Sequence, residues 1–407
     1  MPLDNATKYA VVARNVGCMS DSRPSKSAGY VSRTRPVVPP IYQSATFYLD
    51  DLAYKDIQEG GLREHWYSRF ANPTVDAAAA EIAELEGAEA ALMTSSGMAA
   101  ISTTLLTLLQ QGHRIVAARQ VYGDTRDLLV RDLPALGLDV AMVDATDIGE
   151  WAAAIAAAPT AVVYAETLSN PQLDLTDLAS LATLAHAAGA KLVVDNTFAT
   201  PYTVNPLRHG ADVVVHSATK FLNGHSDVIA GVVLGSAETV TEVQKRMITF
   251  GGCLDPHAAF LVWRGIQTFD LRLARSCATA AALADRLAAH PEVVSVRYPG
   301  RADYSHRDIA SRLMRPGRHG AMVAFTARGG DNRALAVMRR LTVASEATSL
   351  GGVETLVSTP FNSSHFSLTP EERAAARIDD GMIRLSCGIE DPEALIADVE
   401  AALDGTV

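Results

Sequence analysis

The sequence predicts an α/β protein with a mostly parallel central sheet that is covered by helices on both faces. Short apolar segments that end in a polar residue, such as HRIVAAR, KLVVDNT and DVVVHS, have the length and composition of buried strands. Ala- and Leu-rich segments with helical composition, such as LASLATLAHAAGA, lie between several of them. Apolar strands that alternate with helices are typical of a parallel sheet with two covered faces.

Residues 1–70 do not share this pattern. The segment has few helical periods and contains several prolines, among them Pro24, Pro36, Pro39 and Pro40. We expect an extended N-terminal arm, and such an arm in a folded protein usually packs on another subunit.

Residues 71–264 are predicted to form the main α/β domain. A helix is expected to begin at Pro73 after Asn72 and to end at Gly87, because proline favours the first turn and glycine the C-cap. AEAALMTSS then predicts a strand and GMAAISTTLLTLLQQG a helix. DVAMVD and AVVYAE are further predicted strands.

Residues 265–407 are predicted to form a smaller C-terminal α/β domain. LRLARSCATAAALADRLAAH predicts a long helix that Pro291 ends. VVSVRY, AMVAFTA and MIRLSCG are predicted strands, and PEALIADVEAAL is a predicted final helix.

Composition narrows the class of protein. The 407 residues predict two or three domains, and 48% hydrophobic residues can fill a large core. A net charge of −11 argues against a general nucleic-acid binder and against electrostatic docking on membranes. Four scattered cysteines without a CxxC pair argue against a metal site or a disulfide framework. Because there is no signal-peptide pattern or apolar run of about 18 residues, we expect a cytoplasmic protein.

Ligands of parallel sheets bind at the carboxyl ends of the strands. The polar residues that end predicted strands are therefore site candidates. They are Glu166, Asp195, Asn196, His216 and Ser217.

The glycine motifs of nucleotide-binding proteins are missing from the sequence. It has no GxGxxG after a strand and no GK[ST]. A glycine-led helix does follow a strand at Ser96, Gly97 and Met98, where small residues would let backbone amides approach a phosphate. This signal is weak when taken alone.

The segment GADVVVHSATKFLNGHSDVIAG is more specific. It places Lys220 just after a buried strand, with the hydroxyl groups of Ser217 and Thr219 nearby. A lysine with a lowered pKa can form an imine with an aldehyde, and hydroxyls can hold a phosphate. Asp195, at the end of the predicted strand KLVVD, could pair with a pyridinium nitrogen. Together these groups meet the requirements of pyridoxal 5'-phosphate (PLP). Taken singly, Lys220 also fits a surface residue and Asp195 a helix N-cap.

Ten ordered motifs resemble the Cys/Met-metabolism PLP enzyme family, which includes cystathionine γ-synthase, cystathionine γ-lyase, methionine γ-lyase and the O-acylhomoserine sulfhydrylases. The motifs are PPIYQSATF (39–47), YSRFANPT (67–74), SSGMAAI (95–101), VYGDT (121–125), ETLSNP (166–171), VVDNTFATP (193–201), HSATKFLNGHSD (216–227), RGIQT (264–268), SLGGVETL (349–356) and IRLSCGIED (383–391). The resemblance implies the PLP-dependent transferase fold, which is aspartate aminotransferase-like and called fold type I.

The resemblance also implies a role for each residue at the cofactor. Lys220 would form the imine and move protons, and Asp195 would keep the pyridine nitrogen protonated. Tyr122 would stack on the ring and face the leaving group, and Asn170 would contact the ring oxygen. The phosphate would be bound by Gly97, Met98, Ser217 and Thr219, and by Tyr67 and Arg69 of the adjacent subunit. The active unit would be a dimer, and the family commonly forms homotetramers.

The resemblance places the substrate as well. Arg384 would bind the α-carboxylate of an amino acid through a two-pronged pair. Ser349 would lie near Lys220 and this carboxylate, and Thr355 behind Arg384. Tyr122 could instead be a core aromatic residue and Arg384 a surface ion-pair partner, but both fall inside their expected motifs.

Two departures from the family pattern bear on the substrate. Asp124 stands where relatives usually carry Gly, or Cys in methionine γ-lyases. It could bind a distal cationic or polar group, such as the guanidino-oxy group of canavanine, or simply hydrogen-bond its loop. Thr348 stands where members that act on cystathionine usually carry Glu, which makes cystathionine a less natural substrate.

These residues are compatible with three functions. The leading one is γ-elimination on a γ-substituted L-amino acid, such as methionine, homocysteine or a polar analogue, through a vinylglycine-type intermediate. It would give a 2-oxo acid and ammonia or a hydration product. The second is γ-replacement of the O-acylhomoserine sulfhydrylase or cystathionine γ-synthase type, and the third is a non-catalytic PLP-binding scaffold. The retained Lys220, Asp195, Tyr122 and Arg384 argue against the third.

Overall fold

A computed structural model describes residues 36–62, 64–363, 366 and 368–405. The strands are β1 Ala90–Thr94, β2 Arg114–Ala118, β3 Asp139–Val143, β4 Val162–Glu166, β5 Lys191–Asp195, β6 Val213–Ser217, β7 Gly231–Gly235, β8 Val293–Arg297, β9 Met322–Ala327, β10 Ser345–Glu346, β11 Leu356–Ser358 and β12 Met382–Ser386. The helices are α1 Asp51–Gln58, α2 Pro73–Glu86, α3 Gly97–Leu108, α4 Gly123–Asp127, α5 Leu133–Ala135, α6 Ile148–Ala157, α7 Leu178–Ala187, α8 Thr200–Thr203, α9 Ala237–Phe250, α10 Pro256–Ile266, α11 Phe269–Ala289, α12 Arg307–Leu313, α13 Gly330–Met338, α14 Pro370–Ala375 and α15 Pro392–Asp404.

The larger sheet confirms the predicted mostly parallel architecture. Its seven strands lie in the order β1-β7-β6-β5-β4-β2-β3. Strands β2 to β6 pair in parallel, whereas β7 runs antiparallel to β1 and β6. The β7 segment GVVLG is not among the predicted strands, and it is bounded by glycines at both ends. Strand β4 is buried at every position, as expected of a strand that is covered on both faces.

Helix α2 shows why its predicted limits are correct. The side chain of Asn72 caps the helix by accepting a hydrogen bond from the Thr74 amide at 2.9 Å. Pro73 occupies the first turn, where its missing N–H costs nothing. Gly87 ends the helix at φ +73°, a left-handed conformation that glycine adopts without strain.

The smaller sheet contains the C-terminal strands in the order β10-β11-β12-β9-β8. Its pairs are antiparallel except β10 with β11. The long helix α11 contributes Phe269 and Leu273 to the core of the large sheet and Leu283 and Leu287 to the core of the small one. One continuous helix therefore joins both cores, and the division after residue 264 stays a prediction.

The N-terminal arm is more structured than expected. Residues 1–35 lie outside the described residues, but the segment after them contains helix α1. Asp50 caps this helix by accepting hydrogen bonds from the amides of Leu52 and Ala53. The expectation of an irregular segment through residue 70 is therefore wrong for residues 51–58. The helix was missed because the arm is rich in proline and because the main sequence signal of α1 is its N-cap residue, Asp50.

The parallel strands of the large sheet place predicted site residues side by side at their carboxyl ends. Glu166 and Asp195 end the parallel strands β4 and β5 and are paired in register. Asp195 in turn pairs with Val215 of β6, two residues before Ser217. None of the helices in the described parts of the chain has the length and apolar character needed to cross a membrane.

Candidate active site

Lys220 lies half-buried in the turn after β6. Its side chain contacts the loop between β10 and β11 of the smaller sheet. Its Nζ donates a hydrogen bond to Ser349 Oγ at 2.7 Å. Burial, and then the positive charge of Arg384, lower the pKa of the Lys220 amine to about 8. The interpretation of Lys220 as an ordinary surface lysine is therefore wrong, because a substantial fraction of this amine is neutral and nucleophilic near pH 8.

The loop that carries Ser349 fits closely against the lysine turn. Ser349 has φ +91°, a conformation that is unfavourable for residues other than glycine. At Gly351, which has φ +83°, an added Cβ would lie 2.5 Å from the backbone nitrogen of Phe221. The backbone of this loop can approach the residue after Lys220 only because position 351 has no side chain.

Asp195 is buried at the end of β5, beside Glu166. Its Oδ1 accepts a hydrogen bond from the Thr197 amide at 2.8 Å. Burial raises the pKa of Asp195, although the hydrogen bonds from Thr197 and the charge of His216 oppose the rise. Burial and the neighbouring Asp195 also raise the pKa of Glu166 well above its usual range. Two adjacent buried carboxyl groups disfavour double ionisation, so the pair can hold a proton at the sheet edge.

The glycine-led helix α3 begins against the Ser217 strand end. A Cβ added to Gly97 would lie 2.7 Å from Ser217 Cβ. Ser96 caps the helix by accepting a hydrogen bond from the Ala99 amide. The Thr219 hydroxyl donates to the Ala230 carbonyl at 3.1 Å and accepts from its amide at 2.9 Å. Gly97, Met98, Ser217 and Thr219 thus lie in two adjoining turns, with Gly97 and Ser217 in close approach.

Arg384 is a buried cation whose hydrogen-bond partners in the described chain are neutral. Its Nη1 donates to Asn170 Oδ1 at 2.9 Å. Its Nη2 donates to the Ser349 carbonyl and to Ser358 Oγ, both at 3.2 Å. The guanidinium also lies 5.8 Å from the ring centroid of Phe198. Burial lowers the pKa of Arg384 to about 10, and a substrate carboxylate would compensate this charge.

Tyr122 and Asp124 form a hydrogen-bonded pair at the start of α4. The Tyr122 hydroxyl donates to Asp124 Oδ2 at 2.8 Å. Burial raises the pKa of Tyr122 to about 12, and the hydrogen bond to Asp124 and the charge of that carboxylate add to the effect. The structure thus joins Asp124 to the side chain of Tyr122, which is 38% exposed.

Other candidates have different surroundings. Asn196 and His216 both bond to Oε1 of buried Glu86, at 2.7 Å each. This buried network lies within the fold and not in the group around Lys220.

Thr348 is exposed beside Ser349. The Thr355 hydroxyl donates to Glu390 at 2.7 Å and accepts from the Gly388 amide at 2.9 Å. These contacts give no support to its predicted place behind Arg384.

Tyr67 and Arg69 contact the arm and helix α9. Arg69 Nη1 donates to the Ile248 carbonyl at 2.7 Å, and its guanidinium lies 5.0 Å from the Phe70 ring centroid. Tyr67 forms an isolated antiparallel bridge with Thr46. Their predicted contact with the phosphate of an adjacent subunit stays a prediction.

Sequence reasoning missed the contacts of Ser358 and Phe198 with Arg384. Ser358 is paired with Arg384 in register on neighbouring strands β11 and β12. No motif in the sequence indicates this pairing. Glu166 was found through its place at a strand end, but its contacts depend on the loops around it.

The group suits PLP in three respects. Lys220 supplies a half-buried amine whose hydrogen-bond partner is a hydroxyl. Asp195 supplies a buried acid at the end of β5. Gly97 packs against Ser217 at the N-terminus of α3, which brings the Ser217 hydroxyl close to a helix terminus where a phosphate is favoured.

Comparisons with known proteins agree with this chemistry. Residues 26–404 match the family model described as Cys/Met metabolism PLP-dependent enzyme. The chain is 42% identical to L-methionine gamma-lyase of Pseudomonas putida over 370 residues. This alignment covers 90% of this chain and 92% of that protein. It is 39% identical over 369 residues to O-succinylhomoserine sulfhydrylase of Mycobacterium tuberculosis, with 89% and 90% covered.

A solved structure shows the same fold. It is cystathionine gamma synthase from Xanthomonas oryzae pv. oryzae in complex with aminoacrylate and cysteine, with a TM-score of 0.85, 38% sequence identity, and 90% of this chain and 92% of that chain covered. Fold, sheet-edge chemistry and similarity together define a PLP-dependent enzyme of fold type I. Within this class, the chain belongs to the Cys/Met metabolism PLP-dependent enzyme family, whose members are lyases and γ-replacement enzymes.

Proposed function

We propose that the protein catalyses γ-elimination on an L-amino acid with a polar or cationic γ-substituent. The Cγ–X bond breaks, and X leaves with a proton. One water is consumed as the remaining four-carbon unit becomes 2-oxobutanoate and ammonia. The hydrogen-bonded pair of Tyr122 and Asp124 is the observation that supports a polar or cationic substrate. The similarity to methionine gamma-lyases supports elimination as the reaction.

Each proposed role is based on the surroundings of the residue. PLP, when bound, supplies an electron sink that permits loss of protons and of the γ-substituent. Lys220 holds the cofactor and moves protons, because its amine is partly neutral near pH 8. Asp195 pairs with the ring nitrogen. Arg384 binds the substrate carboxylate, and the hydroxyl of Ser349 orients the amine of Lys220.

Asp124 favours a cationic group at the far end of the substrate. Its carboxylate and burial keep Tyr122 protonated, with a pKa of about 12. Tyr122 is therefore a weak acid here, and a leaving group that already carries positive charge depends less on its proton. The carboxylate attracts such a group, for example the guanidino-oxy group of canavanine, and repels an anionic one such as succinate.

The second candidate is γ-replacement on an O-activated homoserine. It is supported by the 39% identity to O-succinylhomoserine sulfhydrylase and by the structural likeness to cystathionine gamma synthase. The two reactions diverge after the γ-substituent has departed, because elimination ends in hydrolysis and replacement in attack by a thiol. The charge of Asp124 favours elimination over replacement of an acidic O-succinyl group.

Asp124 is tested by substitution with glycine. Asp124→Gly should lower kcat/KM for canavanine about tenfold, because loss of one charge-assisted contact costs about 1.5–3 kcal/mol. It should not lower kcat/KM for methionine, because methionine has no cationic γ-substituent and Tyr122 becomes a stronger acid without the Asp124 carboxylate. Asp127→Gly is the matched control, since it removes another acid from α4. Equal losses of activity on both substrates would contradict charge recognition by Asp124.

The proposed assembly is a homotetramer built from dimers that share active sites. Exposed side chains of the arm support this proposal, since Tyr48 is 90% exposed and Leu52 is 65% exposed in the single chain. A neighbouring subunit would cover such apolar surface.

A further inference from the structure

Glu166 is a site candidate because it ends a predicted strand, but the resemblance gives it no role at the cofactor or the substrate. It is the last residue of β4 and lies in register with Asp195 of β5. The side chain is buried. A buried carboxyl group is costly unless hydrogen bonds compensate it. The contacts of Glu166 therefore indicate what this position achieves.

The two carboxyl oxygens bind two different loops. Oε1 accepts a hydrogen bond from the backbone amide of Tyr122 at 2.7 Å. Oε2 accepts one from the backbone amide of Asn170 at 3.2 Å. Tyr122 comes after β2 in sequence and Asn170 after β4, so one side chain fixes the loops beyond both strands. Both loops supply residues that are proposed to contact the cofactor ring.

The contacts continue from these two residues to the substrate groups. The side chain of Asn170 accepts a hydrogen bond from Arg384, and the side chain of Tyr122 donates one to Asp124. Arg384 also bonds the carbonyl of Ser349. Glu166 is therefore connected through Asn170 to Arg384, which is proposed to bind the substrate carboxylate. Through Tyr122 it is connected to Asp124, which is proposed to face the leaving group.

We propose that Glu166 is a positioning residue that sets the orientation of Tyr122 and Asn170 relative to Asp195, and hence to the PLP ring. Two acceptor oxygens are needed for two backbone amides. Glutamine keeps the size of the side chain but offers one acceptor, and its NH2 group would face an N–H group. This inference rests on the proposed ring contacts of Tyr122 and Asn170.

The test measures binding and orientation of PLP in the full-length protein, not turnover. Glu166→Gln should weaken PLP binding about tenfold, since it leaves one buried backbone amide without an acceptor, which costs about 1–3 kcal/mol. It should also change the visible circular dichroism of bound PLP by at least about twofold in amplitude, because this signal reports how the ring is held. If Glu166→Gln does not fold, Glu166→Asp keeps both oxygens but shortens their reach.

Asp212→Asn provides a matched control at the opposite edge of the sheet. The Asp212 carboxylate accepts a hydrogen bond from the Leu192 amide at 2.8 Å, just before β6 begins. This substitution should lower Tm while PLP affinity and circular dichroism stay within twofold of the unsubstituted protein. Values within twofold for Glu166→Gln, or equal changes in both variants, would overturn the proposal. Failure of the unsubstituted protein to bind PLP would instead refute the proposed ring contacts.

Discussion

Lys220 differs from ordinary lysines in its surroundings, not in its sequence motif alone. The sequence predicts that its amine is activated, because it comes directly after a buried strand. It does not predict the partner, since Ser349 is 129 residues away along the chain. The hydrogen bond and the effect of Arg384 depend on how the second sheet region packs over the first. The motif predicts which lysine is reactive, whereas tertiary packing determines the pKa of its amine.

The pKa of Lys220 predicts the pH dependence of its reaction with PLP. The neutral amine reacts, so trapping of PLP by borohydride in the apoprotein should rise with pH and reach half-maximum near pH 8. Mass spectrometry of the Lys220 peptide measures the trapped fraction. Arg384→Gln should move the midpoint upward, because the guanidinium lowers the pKa of the amine. A midpoint near 10.5, the ordinary lysine value, would contradict the described burial.

Asp124 shows the same distinction between motif and packing. The sequence leaves open whether its carboxylate binds a substrate or its own loop. The structure shows that it accepts a hydrogen bond from the Tyr122 hydroxyl. The hydroxyl and the carboxylate lie two residues apart, but their meeting depends on the backbone at the start of α4. The predicted effect of Asp124→Gly on canavanine turnover therefore involves both charge and the acidity of Tyr122.

The existence of strongly patterned strands and helices is the most predictable feature at the scale of elements, and their limits are predictable only where capping residues mark them. Local signals decide them, as at α2, where Asn72, Pro73 and Gly87 supply both ends. Strands that end in polar residues are also predictable, because their apolar composition is continuous. Helix α1 was missed because it is short, and strand β7 because the glycines at its ends are more typical of turns. The contacts of Glu166 could not be predicted, because they join two loops through backbone amides.

The close approach of α3 to β6 gives a prediction at the scale of elements. Gly97→Ala should weaken PLP binding and destabilise the protein by about 1–3 kcal/mol, because the new Cβ would meet Ser217 Cβ at 2.7 Å. Gly252→Ala is the control, since the nearest atom to its new Cβ would be 3.6 Å away. PLP titration and thermal unfolding measure both effects. If Gly97→Ala matches the control, the close packing described at this turn is wrong.

At the scale of the whole molecule, helix α11 packs into the hydrophobic cores of both sheets. The proposed active unit contains two chains. Arg69 bonds the Ile248 carbonyl of its own chain and is proposed to reach the phosphate in its neighbour. Sequence motifs suggest the shared site, but the described residues of the arm, 36–62 and 64–70, show contacts within a single chain alone. Subunit exchange can examine this arrangement directly.

Two inactive variants should restore activity when their subunits are mixed. Lys220→Ala removes the proposed reactive amine, and Arg69→Gln removes the proposed contact with the phosphate in the neighbouring site. A mixed dimer has one site with both defects and one with neither. Random exchange should therefore restore about a quarter of the original activity. Activity that stays at the level of the separate variants after proven exchange would contradict a site shared between subunits.

The central claim is γ-elimination on a polar or cationic substrate, and release of 2-oxo acid tests it most directly. The PLP-loaded protein would be given methionine, homocysteine, cystathionine, O-acetylhomoserine and canavanine, each with and without added thiol. We predict 2-oxobutanoate and ammonia without thiol, with the highest kcat/KM for canavanine. If no substrate releases 2-oxo acid, and O-acetylhomoserine gives product only when thiol is added, the protein is a γ-replacement enzyme and the claim is wrong.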